Sequence, residues 1–168
     1  MDVSAVYLDL YGRIPHLVQE AVDGLSPEQL RQAPKPGANS IGWLVWHTAR
    51  VVDAYGGELL KEPQLWESGD WAGSFGLDPD PANHGYGHTP EQVAAVAPES
   101  AQACIDYHAA AHARFLTFLQ GLAAVDLDRV VDESYDPPVT LGVRLVSIAD
   151  DGLQHAGQAA YVRGLLFD

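Results

Sequence analysis

Asp151 and His155 lie four residues apart in the stretch IADDGLQHAGQAAYVRGLL, residues 148–166. Four residues is about one helical turn, so the two side chains share a face. They fall on the seam marked by Leu141, Leu145, Ile148, Ala159, Val162 and Leu166, where a core-facing helix is otherwise apolar. A carboxylate on such a seam is costly to bury unless it meets a partner or a metal. His47 is the same kind of anomaly in IGWLVWHTARVVD, three residues after Leu44 and four before Val51, with Trp43 one turn earlier. Two helices facing each other would supply His47 from one side and Asp151 with His155 from the other. Two imidazoles and a carboxylate with an open position suit a catalytic zinc ion, and the same set fits non-haem iron.

Spacing alone is weak support. The chain has four pairs in which Asp or His precedes His by four residues: Asp80/His84, His84/His88, His108/His112 and Asp151/His155. The first two fall in a Gly/Pro-rich stretch, where that spacing fixes no geometry. His108/His112 is the serious rival, since His108 shares a seam with Cys104, Ala111 and Phe115. Each pair also has a plain reading as half-buried histidines satisfied by hydrogen bonds. Asp150 sits off the seam and ranks below Asp151. Arg163, two turns beyond His155, is the anion-binding candidate, with a surface ion pair as its alternative. Gly142, Gly152, Gly157 and Gly164 share one helix with the pair and point to close helix packing or room for a ligand.

The elements that must carry these residues follow from periodicity. A first helix is expected over about Ser4–Leu25, with Val6, Leu10, Ile14, Leu17, Val18 and Val22 as its apolar stripe. Ser26 with Pro27 starts a short turn, and Ser40 or Asn39 caps a second long helix over Ile41–Leu60. Residues 61–88 read as a long loop rich in Gly, Pro, Asp and Trp, a length that is usually functional or mobile. Thr89 and Gln92 form a capping box. A third long helix is expected over Glu99–Leu122, then a connector with an extended piece at Arg129–Val131, then a fourth helix over Leu141–Leu166 capped by Thr140. With no repeat and no change of composition, residues 1–168 read as a single all-α domain, a four-helix bundle with a long loop between the second and third long helices.

Composition narrows the function classes. The 23 acidic residues outweigh nine basic ones, a formal charge of −14, and the basic residues are scattered singly, so nucleic acid is a poor partner. Arg outnumbers Lys seven to two. No apolar run reaches the ~18 residues of a membrane span. The opening MDVSAVYLDLYGRIPHL lacks a basic leader region, which makes a cytoplasmic protein the expectation. Cys104 is the sole cysteine, which excludes a disulfide framework, and its apolar seam implies an inert thiol. There is no nucleophile elbow, no phosphate-binding glycine loop and no paired Glu-x-x-His of the ferritin kind.

Three stretches, IGWLVWHTARVVD, GYGHTPEQVAAV and DPPVTLGVRLVSIADDGLQHAGQAAYVRGLL, together resemble the DinB-like superfamily over nearly the whole chain, including its mycothiol-dependent maleylpyruvate isomerase and thiol S-transferase branches. The resemblance implies a four-helix bundle holding a divalent metal on His47, Asp151 and His155. Zinc leads, with nickel or iron as alternatives. Members of the family usually carry His or Glu where this chain has Asp151, a side chain one methylene shorter than Glu. The activity implied is a metal-dependent transferase or isomerase using a low-molecular-weight thiol, mycothiol above others, on a small electrophile. A metal-holding stress protein without turnover and a metal-dependent hydrolase are the alternatives. Trp43, His108 and the loop residues Trp66, Trp71 and Phe75 are candidates to line the electrophile pocket, with Arg163 as a further substrate contact. A homodimer through exposed helix faces is compatible with this reading.

Overall fold

A computed structural model describes residues 2–167. Four long helical segments form the bundle. The first is broken into α1, Val3–Gly12, and α2, Ile14–Val22. After the short α3, Pro27–Arg31, come α4, Ile41–Leu60, the short α5, Trp71–Ser74, and α6, Pro90–Ala95. The third and fourth bundle helices are α7, Ala101–Gln120, and α8, Leu141–Leu166. A small antiparallel hairpin, β1, Val130–Asp132, and β2, Val139–Thr140, precedes α8. This is the expected all-α bundle, and the two helices that bear the site begin and end at the expected residues.

Local chemistry sets the boundaries. The Ser40, Ser100 and Thr140 side chains accept hydrogen bonds from the third backbone N–H of α4, α7 and α8, so α7 starts two residues later than expected. Capping boxes at Ser26/Gln29 and Thr89/Gln92 open α3 and α6.

The first long helix departs from expectation. Pro15 lies in the first turn of α2 and has no N–H to offer the Tyr11 carbonyl one turn back, so the ladder breaks there. The break shifts the helical phase. Tyr11, Ile14, Val18, Ala21 and Val22 enter the core, whereas Val6 and Leu17 of the expected stripe are 49% and 36% exposed. His112 on α7 repairs the gap, its Nε2–H donating to the Tyr11 carbonyl at 2.8 Å.

Helix α4 is the central element, packed against both α7 and α8. Every residue from Ile41 to Asp53 is buried, a wider face than one apolar stripe provides. The extra face is covered by residues 61–88, which are not a structureless loop. A 3-10 turn at Leu65–Glu67 and α5 tuck Trp66, Ala72 and Phe75 inward. Buried Asp53 fastens that turn, accepting from the backbone N–H groups of Leu65 and Trp66 at 2.8 Å each. Beside it lies buried Arg50, 3.3 Å from the Asp53 carboxylate and stacked 4.7 Å from the Trp66 ring centre. At the other end, Arg144 of α8 holds the hairpin through a 2.8 Å bond to Asp132. Among the described residues no helix is long and apolar enough to cross a membrane.

Candidate metal centre

The crossing of α4 and α8 brings His47, Asp151 and His155 together, with one donor atom from each lying within 4.8 Å of the others. Asp151 Oδ1 is 3.4 Å from Nε2 of His47 and 3.4 Å from Nε2 of His155. Gly152, next to Asp151, faces α2. A Cβ there would stand 3.1 Å from Cδ1 of Ile14, whereas Thr48 of α4 would be at an ordinary contact distance of 3.8 Å, so the bare backbone eases the packing of α8 on α2.

The second nitrogen of each imidazole is already committed. His47 Nδ1 meets the backbone carbonyl of His84, and because a carbonyl only accepts, the proton sits on Nδ1. His155 Nδ1 donates likewise to the side-chain oxygen of Gln158 at 2.8 Å. In the neutral rings both Nε2 lone pairs therefore turn toward Asp151. Holding one ring nitrogen so that the other presents its lone pair is the outer-partner arrangement of metal-bound histidines. Trp43 adds rigidity, stacking on His47 at 4.8 Å between ring centres and meeting His155 edge-on at 6.0 Å.

A proton can take the place of a cation here, since an imidazole protonated on both nitrogens points an Nε2–H at Asp151. Burial alone would raise the Asp151 carboxyl, but hydrogen bonds from His155 and His47 in that form, together with their charges, hold it at about 2. Burial opposes an imidazolium at His155, yet Asp151 and Gln158 outweigh it and raise its pKa. The other carboxylate oxygen, Oδ2 of Asp151, is buried and has no hydrogen-bond partner among the described residues. An unmet acceptor is expensive. Two inward imidazole lone pairs plus an ionised carboxylate with an idle oxygen fit a divalent cation.

The site opens on a cavity of about 820 Å³. Its wall includes Tyr55 and Val51 of α4, Ser147 and Ile148 of α8, and Tyr86 and Tyr135 from the two connectors. Tyr86 and Tyr135 are largely exposed at the rim. The aromatic lining differs from the expected one. Trp66 and Phe75 are fully buried and pack with Tyr107 inside the covering segment, and Trp71 packs on Tyr107 too. Tyrosines from α4 and the connectors take their place.

The remaining candidates are placed elsewhere. His108 is sealed in the core, stacked on His112 with ring centres 5.6 Å apart. Arg163 donates to the carbonyls of Glu20, Ala21 and Asp23, closing the C-terminal end of α2. Asp150 is exposed and accepts from Gln154 at 2.6 Å. Cys104 is buried, and burial pushes its thiol up to about 12.

Periodicity pointed away from His84 and His88, yet both belong to the surroundings of the site. The Trp43 indole N–H donates to His88 Nδ1 at 3.2 Å, leaving His88 Nε2–H to donate to the Asn83 side chain at 2.8 Å. Burial, then the neighbouring charge of His47, lowers the pKa of both residues. Gly85 lets this segment touch down. With φ of +98°, its position would put a Cβ 2.7 Å from His47 Nδ1. The GYGH motif carried a signal of close backbone approach, though not of where.

The family model of the DinB superfamily matches residues 10–159. A solved structure, described as a conserved protein from Enterococcus faecalis, is 34% identical and superposes with a TM-score of 0.89, covering 99% of this chain and 98% of that one. No curated protein matches.

Proposed function

The chain belongs to the DinB superfamily, and on that footing we propose that it is a divalent-metal-dependent enzyme. In this reading it joins a low-molecular-weight thiol, mycothiol foremost, to a small electrophile, or uses the thiol to isomerise one. The observation that carries the reading is the convergence of three donor atoms at the edge of a cavity large enough for a thiol and its electrophile. His47, Asp151 and His155 would hold the ion, with zinc favoured and nickel or iron compatible. A cation held there would keep a thiol in its thiolate form, the reactive nucleophile, near neutral pH.

The chain's own groups do the rest. The His84 carbonyl and the Gln158 side chain fix which nitrogen of each imidazole is proton-free. Trp43 holds both rings in place and shields them from water on one side. Tyr86 and Tyr135 stand where a bound ligand would displace solvent from the rim. A storage role would call for closed coordination, and the cavity beside Asp151 favours turnover instead.

The test compares rates toward a generic electrophile, 1-chloro-2,4-dinitrobenzene, with and without added thiol, in zinc-loaded protein. Thiol-dependent conjugation that disappears in His155→Ala supports the proposal. Equal rates with and without thiol remove the transferase reading, and hydrolysis of an ester by the same protein would move the chemistry to water.

A further inference from the structure

Arg50 is fully buried on α4, one turn from His47, and takes no direct part in the metal centre. A guanidinium has five N–H donors and no acceptor, and here all five are used. Nη1 donates to Asp53 at 3.3 Å and to the Tyr107 hydroxyl at 3.0 Å. Nη2 donates to the Gln64 side chain at 2.8 Å and to the Pro81 carbonyl at 3.1 Å. Nε donates to the Asn83 carbonyl at 3.0 Å. Two of these bonds end on the backbone just before His84, whose carbonyl receives the His47 proton.

A buried ion pair is a poor means of adding stability, because apolar residues of similar size often serve as well. A fork that reaches two carbonyls at once has a directional use. From this placement we infer that Arg50 is a positioning residue. By holding Pro81 and Asn83 it aims the His84 carbonyl at His47 Nδ1 and so selects the imidazole tautomer whose Nε2 can bind a cation. Free histidine favours the opposite tautomer, with the proton on Nε2, so the selection has to be imposed. Gln64 assists, since it touches both Arg50 and the Pro81 carbonyl.

The inference rests on His47 being a metal ligand, but its first readout needs no metal. Two-bond proton–nitrogen spectra of the metal-free protein, at a pH where imidazoles are neutral, report which ring nitrogen of His47 carries the proton. Wild type is expected to show Nδ1–H. R50K keeps a positive charge near Asp53 but cannot fork to two carbonyls, and its His47 signal should move toward Nε2–H. Calorimetric affinity for Zn²⁺ should fall by roughly 10–100-fold in that variant, the usual effect of removing an outer partner. Q64A leaves the Arg50–Asp53 pair intact and should shift in the same direction by less, which keeps the test sound should R50K fold poorly. G85A forces a side chain against His47 Nδ1 and sets the ceiling of the effect. A wild-type Nδ1–H population in both R50K and Q64A overturns the inference. Zn²⁺ titrations that are identical for wild type and His47→Ala would instead remove the metal reading, leaving the tautomer result to stand alone.

Discussion

Two places in this bundle put a histidine four residues after another acid-or-histidine on a buried helix seam, and they have opposite fates. On α8, Asp151 and His155 face a third donor from α4, next to a cavity, and the imidazole's pKa is raised. On α7, His108 and His112 face apolar neighbours and a broken helix, and burial lowers both pKa values. His112 has a structural task, since it bonds the carbonyl that Pro15 leaves unmet. His108 has none of that kind, and its Nε2 lacks a partner among the described residues. Helical spacing aligns two side chains, but a site also needs an opposing donor and an opening to solvent.

The largest effect that separates the two pairs is in metal content. His47→Ala and His155→Ala should each abolish stoichiometric metal in the purified protein, with affinity falling by more than the roughly 10–100-fold that outer partners cost. His112→Ala should retain the metal while losing stability, because the Tyr11 carbonyl is left buried and unbonded. Elemental analysis of the three variants after identical purification is the measurement. Metal kept by the first two and lost with His112 would transfer the centre to α7.

The sequence pattern was informative where one physical rule acts alone. Caps at Ser40 and Thr140 and the apolar period between them define α4 and α8 to the residue, because local hydrogen bonds and burial agree there. Polar residues on those seams then exposed His47, Asp151 and His155 as candidates. The α1–α2 break was hidden, although Pro15 was in plain view, since the phase shift that brings Tyr11 inward depends on how α7 receives the freed carbonyl. The covering segment was hidden for a related reason. Its anchors, Arg50 and Asp53, lie three apart on α4, and their partners are backbone groups far along the chain, Leu65, Trp66, Pro81 and Asn83. Such bonds leave no period. A charged pair inside the apolar run HTARVVDAY was the available signal, of the same kind as His47 itself.

A smaller effect is expected in acid. Burial, reinforced by the charge of His112, pushes the His108 imidazole down from 6.5 to about 3. Between those values the unfolded chain takes up a proton that the folded chain refuses, so stability falls on acidification by roughly 1.4 kcal/mol per pH unit from this residue. Above about pH 6.5 the contribution to the slope vanishes. Denaturant unfolding of wild type and His108→Leu, compared at neutral pH and near pH 5, should show the variant losing roughly 2 kcal/mol less. Equal losses would mean that water or a partner reaches His108 in solution. The α7 pair would then be less sealed than its geometry indicates.

The smallest effect is His108→Leu at neutral pH. Truncating a well-bonded buried polar side chain usually costs stability, and replacing a core residue by one of another shape adds strain of about 1–3 kcal/mol. Here the imidazole has no bond at Nε2 to lose, so the relief of an unmet donor or acceptor should offset much of the misfit. The net change should stay within about 1 kcal/mol by equilibrium unfolding, with metal content unaltered. The corresponding change at the other pair, His155→Leu, removes a donor whose Nε2 stands 3.4 Å from Asp151 and whose Nδ1 is bonded to Gln158, and should lower metal content whatever it does to stability. A His108→Leu variant that folded normally yet lost its metal would erase the distinction between the two pairs, because it would show that the sealed histidines and the open ones act on one centre.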